Sequence, residues 1–237
     1  MKSAEKHALL EETVERIGRT ANLASRQRDY YKTLVRYAAD IESVEAVFQR
    51  MNERDDDTAL NHLAEIRYGV LFKDLKFLAR FEPTGRKGPD LIVERNGVAA
   101  FVEVRRYQPK ESEQIPKSLD ATGTLPQYSG SWLAQIRLVE DMLCKLRQVE
   151  AVRKGGEHVI LAVWSDRDCV EECDFECAVQ EISKLEEAKQ KGLRFCIFGS
   201  CWVSARKWFY CEPVSSPATP FENWAKDIEA SHPFTTT

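Results

Sequence analysis

The chain has no long apolar run: nowhere do roughly 18 uninterrupted apolar residues occur, so no segment reads as a membrane-spanning helix. Residues 1–12 carry charge throughout and lack the apolar centre of a signal peptide, which makes a cytoplasmic protein the expectation. Histidine is scarce, and the four present (His7, His62, His158, His232) have neither ligand nor triad spacing. P-loop, nucleophile-elbow and dinucleotide fingerprints are missing, and so is any internal repeat. Seven cysteines, an odd number in 237 residues, do not make a small disulfide framework. The net charge of −4 argues against a protein coated all over by nucleic acid.

What is present is an ordinary globular composition, 43% hydrophobic and 10% aromatic. The charge is uneven. Between Arg67 and Lys117 eleven Lys or Arg stand against seven Asp or Glu, enough for a local basic surface on an acidic chain.

Hydrophobic periodicity divides the chain. Residues 4–54 contain no proline and one glycine, with Leu34, Tyr37, Ala38, Ile41, Val44 and Phe48 at helical spacing, so one or two long helices are expected. Asp56 or Asp57 then caps a helix running to about Asp74. Strands are expected at 77–81, 90–95 and 98–105, the last two joined by Asn96-Gly97, a strong hairpin signal. A long loop spans 107–130. A helix from Ser131 ends at Gly155-Gly156, a buried strand covers 158–164, a helix covers 174–191, and strands follow at 193–199 and 207–211. The prolines and Ser/Thr clusters after Pro213 read as a loosely held tail. This gives an N-terminal helical extension (1–55), an α/β domain (56–212) and a tail (213–237). The α/β domain should hold a mixed sheet with helices on both faces.

The hairpin fixes side-chain geometry. A two-residue turn at Asn96-Gly97 pairs Arg95 with Val98 and, counting outward, Asp90 with Glu103. Asp90, Ile92, Phe101, Glu103 and Arg105 then share one face. Both faces carry large apolar groups, so two carboxylates would oppose each other in a partly buried place, where like charges repel. A hard divalent cation, Mg²⁺ or Mn²⁺, is one compensation. An ion network with Arg105, or carboxylates reaching water at a strand end, is the other.

Pro89-Asp90, the hairpin and Glu103-Val104-Arg105 resemble the PD-(D/E)XK signature of restriction-endonuclease-like nucleases. The helix carrying Glu65 and the loop Pro83–Gly88 add to a likeness with Holliday-junction resolvases and Mrr-type enzymes over residues 57–165. The resemblance implies a restriction-endonuclease-like sheet and a DNA endonuclease with a catalytic set of Asp90, Glu103, Arg105 and Glu65. Asp90, Glu103 and the Val104 carbonyl would hold Mg²⁺ or Mn²⁺. Duplex or branched DNA would be the partner, with Arg86, Lys87, Arg106, Lys110 and Lys117 on its backbone, and a homodimer is one arrangement the family uses. Arg105 departs from the pattern, which has lysine there, and arginine cannot act as a base. Lys145 on the next helix is another source of an amine. The alternative is a degenerate member that binds nucleic acid or protein without cutting.

Three further features have plainer readings. Cys169, Cys173 and Cys177 are too spread along a helix to hold one zinc and read as buried thiols, while Cys144, Cys196 and Cys201 read as small core residues. Arg26, Arg28, Tyr30, Tyr31, Lys32 and Arg36 mix basic and aromatic groups, but in a segment of balanced charge they read as a solvated helix or dimer surface. Trp132 and Gln135 begin a helix near the expected site, with Trp132 on its apolar stripe.

Overall fold

The computed structural model describes residues 3–20, 23, 25–53, 55–82, 88–107, 131–150, 157–165, 172–200, 209–214 and 220–231. Three helices open the chain: α1 (Ser3–Arg19), α2 (Ser25–Ala38) and α3 (Val44–Glu53). The sequence reading expects one or two. One break falls beside Ser43, which adopts a positive φ of 63° that no helix interior accommodates. The next helix, α4 (Asp56–Asp74), is capped one residue earlier than expected: the Asp55 carboxylate accepts from the Thr58 N–H at 2.9 Å.

The sheet has six strands in sequential order: β1 (Leu78–Phe81), β2 (Leu91–Arg95), β3 (Val98–Tyr107), β4 (His158–Ser165), β5 (Leu193–Ser200) and β6 (Phe209–Pro213). β3, β4 and β5 are parallel, and the outer pairings are antiparallel. The expected mixed sheet with helices on both faces is therefore the observed fold. The β2–β3 register runs from Arg95↔Val98 to Leu91↔Val102, as the turn residues require. Asn96 and Gly97 both take positive φ, 57° and 75°, which two-residue hairpin turns of this kind demand.

Helix α4 covers one face, where Leu91, Val93, Val102 and Val104 meet Leu60, Leu63, Ile66 and Phe72 in one core. Helices α5 (Ser131–Glu150), α6 (Glu172–Lys184) and α7 (Glu186–Gln190) cover the other, around Leu161, Val163, Leu146 and Phe175. The helix expected at 174–191 is thus two, broken at Leu185, whose extended backbone precedes α7. The Gly155-Gly156 end expected for α5 lies outside the described residues. Chain entry into β3, crossover through α5 and return into parallel β4 make one βαβ unit.

The first three helices and the last helix pack into this core. Val14, Ile17, Leu34, Val35, Phe48 and Met51 of the first three helices are continuous with the sheet residues, so residues 1–55 do not form a separate hydrophobic unit. The expected loose tail instead contains α8 (Phe221–Ala230), which buries Phe221, Trp224 and Ile228. Trp224 stacks edge-on against Phe77, and Asp227 pairs with Arg95 at 2.8 Å. Apolar residues at i, i+3 and i+7 outweigh the proline-rich composition around them. Of the basic–aromatic mixture in α2, Tyr31 turns inward and Tyr30 is half-buried, while Arg36 stays exposed. The Arg67 guanidinium lies over Tyr30, Tyr31 and Trp164, the last at 3.7 Å, and Tyr31 is buried. Among the described residues no helix is long and apolar enough to cross a membrane.

Candidate active site at the β2–β3 hairpin

Asp90 sits one residue before β2, so the hairpin register carries it opposite Glu103. Its Oδ2 accepts the Val104 N–H at 2.7 Å, which pins the carboxylate to the neighbouring strand. Glu103 is buried, with only 2% of its side chain exposed, whereas Asp90 is partly open at 21%. The opposition deduced from Asn96-Gly97 is present.

The cation between them comes from α5. Lys145 Nζ donates to Asp90 Oδ2 at 3.1 Å and to Glu103 Oε2 at 3.0 Å. Burial works against its ammonium, but the two carboxylates outweigh that and hold Lys145 above its usual range. Burial first, and the Asp90 charge second, push Glu103 up to about 8 despite Lys145. Asp90 is also raised, by burial and then by the charge of Glu65. Each acid is therefore destabilised as a carboxylate by its surroundings, and one ammonium faces two of them. Glu103 Oε1 is buried with no hydrogen-bond partner.

Arg105 does not join this set. Its Nε and Nη2 donate to both oxygens of Asp141 at 3.1 and 3.2 Å, and its side chain is 44% exposed. The network of Asp90, Arg105 and Glu103 considered from sequence is thus replaced by one through Lys145, and Arg105 has its own partner one helical turn away. The lysine was available as an alternative amine in the sequence. Asp141 gave no signal, because its role exists only once α5 lies across β3.

Glu65 is buried on α4, turned inward rather than to solvent. Its Oε1 lies 2.8 Å from His62 Nδ1, and its Oε2 lies 3.6 Å from an Arg50 amine, too far for a hydrogen bond. Arg50 itself donates to the Glu82 carbonyl at 3.4 Å. Neither His62 nor Arg50 stood out in the sequence. Arg50 comes from α3, so the N-terminal helices contribute a charge beside the acid cluster.

Of the expected DNA-contacting residues, Arg106 is described: its Nη1 donates to the Asp57 carbonyl at 3.4 Å, against the start of α4. Arg86, Lys87, Lys110 and Lys117 lie outside the described residues, as does the side chain of Trp132. Gln135 donates to Asp174 at 3.1 Å, a bridge from α5 to α6. Cys173 and Cys177 are exposed, not buried, and so is Cys144, while Cys196 is the core residue expected. Cys169 and Cys201 lie outside the described residues.

The donor set suits a hard cation in part. Among the described residues no three His, Cys, Asp or Glu side chains gather closely enough to hold a metal. Mg²⁺, however, keeps much of its water and is commonly bound through one or two carboxylates plus substrate phosphate oxygens. Asp90 with Glu103, one of whose oxygens is buried without a donor, is such a pair. Comparison with known proteins finds no family model, no curated protein and no solved structure that matches this chain.

Proposed function

We propose that this chain is a metal-dependent phosphodiesterase that cuts DNA, with Asp90, Glu103 and Lys145 as its reacting groups. The observation that carries the reading is the Lys145 ammonium bonded to both carboxylates at 3.0 and 3.1 Å. Two acids and a lysine are the side-chain set that the PD-(D/E)XK resemblance calls for, with the amine arriving from α5 instead of from β3. Kinship with restriction-endonuclease-like nucleases is part of the proposal, supported by this set and by the order of helix, meander, crossover helix and parallel strand.

Asp90 and Glu103 would hold Mg²⁺ or Mn²⁺, which supplies water activation and neutralises charge on the scissile phosphate. Partial exposure of Asp90 gives a phosphate a way in, while burial of Glu103 holds its carboxylate in one orientation. Were a dication to satisfy its acids, Lys145 would be available to hydrogen-bond the attacking water or a phosphate oxygen. Glu65, held by His62, sets a further negative charge near Asp90, a repulsion that a bound dication would relieve. A cytoplasmic setting fits the three exposed cysteines outside any disulfide, Cys144, Cys173 and Cys177.

The test is nicking or linearisation of plasmid DNA by purified protein in Mg²⁺ or Mn²⁺. Activity should vanish in Asp90→Ala and in Lys145→Met. Equal cutting by the Asp90→Ala protein defeats the assignment.

One observation favours a second reading, a non-cutting member of the same fold that binds DNA or protein. Lys145 already neutralises part of the acid pair without any metal. Calorimetric titration that detects no Mn²⁺ binding would support it.

A further inference from the structure

Four charges on two elements are arranged as a ladder. Strand β3 presents Glu103 and Arg105 on one face, two residues apart, a rise of about 6.6 Å. Helix α5 presents Asp141 and Lys145, four residues and about 6.0 Å apart. These repeats nearly match. Lys145 meets Glu103 and Asp141 meets Arg105, so the strand reads minus then plus as the helix, running the other way, reads plus then minus. Only one placement of α5 along β3 satisfies both rungs. A slide by one helical turn toward either end would set Lys145 against Arg105 or Asp141 against Glu103.

The two rungs differ in kind. The inner one is buried and belongs to the acid site. The outer one is half exposed, yet it is bidentate, with Nε and Nη2 of Arg105 on separate oxygens of Asp141. A planar fork of that type fixes orientation as well as distance. An exposed pair adds little to global stability. Its effect is on where the helix sits.

We propose that Arg105 and Asp141 are positioning residues, whose ion pair fixes the register of α5 on β3 and so holds the Lys145 ammonium on Asp90 and Glu103. The catalytic consequence rests on the reading of Asp90, Glu103 and Lys145 as the reacting set, but the register itself does not. Arg105 acts through Lys145, which accounts for an arginine at the strand position where the resemblance expects lysine. It does not bind substrate.

The experiment has two readouts on the full-length protein. The first is the rate of reductive methylation of Lys145 in metal-free protein, followed by peptide mass spectrometry. The second is kcat and KM for plasmid cleavage in Mn²⁺. Arg105→Ala and Asp141→Ala should each raise Lys145 labelling several-fold. The double variant should do no more than either single one, and the exchanged pair Arg105→Asp/Asp141→Arg should return labelling toward the native rate. Cleavage should mirror this with the opposite sign: kcat should fall in each single variant, fall no further in the double one and recover in the exchanged pair, with KM unchanged. Where an alanine variant fails to fold, Asp141→Asn removes the charge and keeps the shape. Unaltered Lys145 labelling in every folded variant overturns the proposal. So does a rise in KM confined to Arg105→Ala, which would mean that Arg105 binds DNA directly. If the native protein cuts no DNA while the labelling pattern holds, the register lock stands and the nuclease reading falls.

Discussion

Lys145 Nζ stands 3.0 Å from Glu103 Oε2, a contact made by residues 42 positions apart and on different elements. Replacing Lys145 by Met would leave Glu103 and Asp90 facing each other with no cation between them. Breaking a buried pair in this way costs about 3–5 kcal/mol. Urea unfolding of metal-free Lys145→Met above pH 8, where Glu103 carries its charge, should show a loss of that order, and added Mn²⁺ should recover part of it. Native stability in the variant would mean that the ammonium does not compensate the acids.

The same pair sets a pH dependence. Glu103 ionises at about 8 in the folded protein against an ordinary value of 4.5, so between these values the folded state holds a proton that the unfolded state has lost. Stability must then fall as pH rises through that window, and Asp90, shifted in the same direction, adds to the slope. The expected loss for metal-free protein between pH 5 and 8 is roughly a few kcal/mol. Lys145 gives the same sign of slope, but in a higher window. Its raised value adds stability that is lost only above the usual lysine range. Chemical denaturation of EDTA-treated protein across this range checks the sign, and a Glu103→Gln variant should flatten the curve.

The C-terminal helix should behave as core. Trp224 is 1% exposed, between Phe77 and Phe221. Trp224→Ala should destabilise by about 3–5 kcal/mol, as large-to-small changes at buried aromatics do. A thermal melt indistinguishable from the native one would mean that α8 is not seated on the sheet.

Gly69 lies where α4 packs against Phe81 of β1 and Leu91 of β2. A Cβ there would come within 2.5 Å of the Phe81 ring and 3.3 Å of Leu91. Alanine would gain about 1 kcal/mol of helix propensity but overpack the contact at a cost of about 1–3 kcal/mol. Net destabilisation is expected in a denaturant titration. A gain would show that α4 can draw back from β1 without penalty.

The sequence made some of this legible and hid the rest for physical reasons. Asn96-Gly97 needs positive φ twice, and that local demand sets the register of β2 on β3 and hence the opposition of Asp90 and Glu103. Glu65 was harder. Helical spacing of Leu60, Leu63, Ala64, Tyr68 and Leu71 marks one apolar stripe that Glu65 lies off, yet α4 is buried on nearly all sides from Ala59 to Phe72, so a residue off the stripe is still inside. Lys145 and Asp141 could not be assigned from local pattern, because their partners are chosen by how a crossover helix lies on the sheet. In the tail, Phe221, Trp224 and Ile228 carried a usable helical spacing that local composition masked. Exposure of Cys144, Cys173 and Cys177 runs against their apolar character and had no advance sign.

Arg50 gives the N-terminal helices a share in whatever the hairpin does. Through one side chain α3 reaches the Glu82 carbonyl and the buried Glu65, and in the turn before α3 the Glu42 carbonyl accepts the Phe81 N–H. A shortened chain beginning at residue 55 would therefore lose more than an appendage. It would bare one side of the core, leave Glu65 without its nearby arginine and release the outer edge of β1. Under the proposed reading, a metal bound at the acid cluster would be coupled through these contacts to the docking of the first three helices, and added Mn²⁺ should slow proteolysis of those helices.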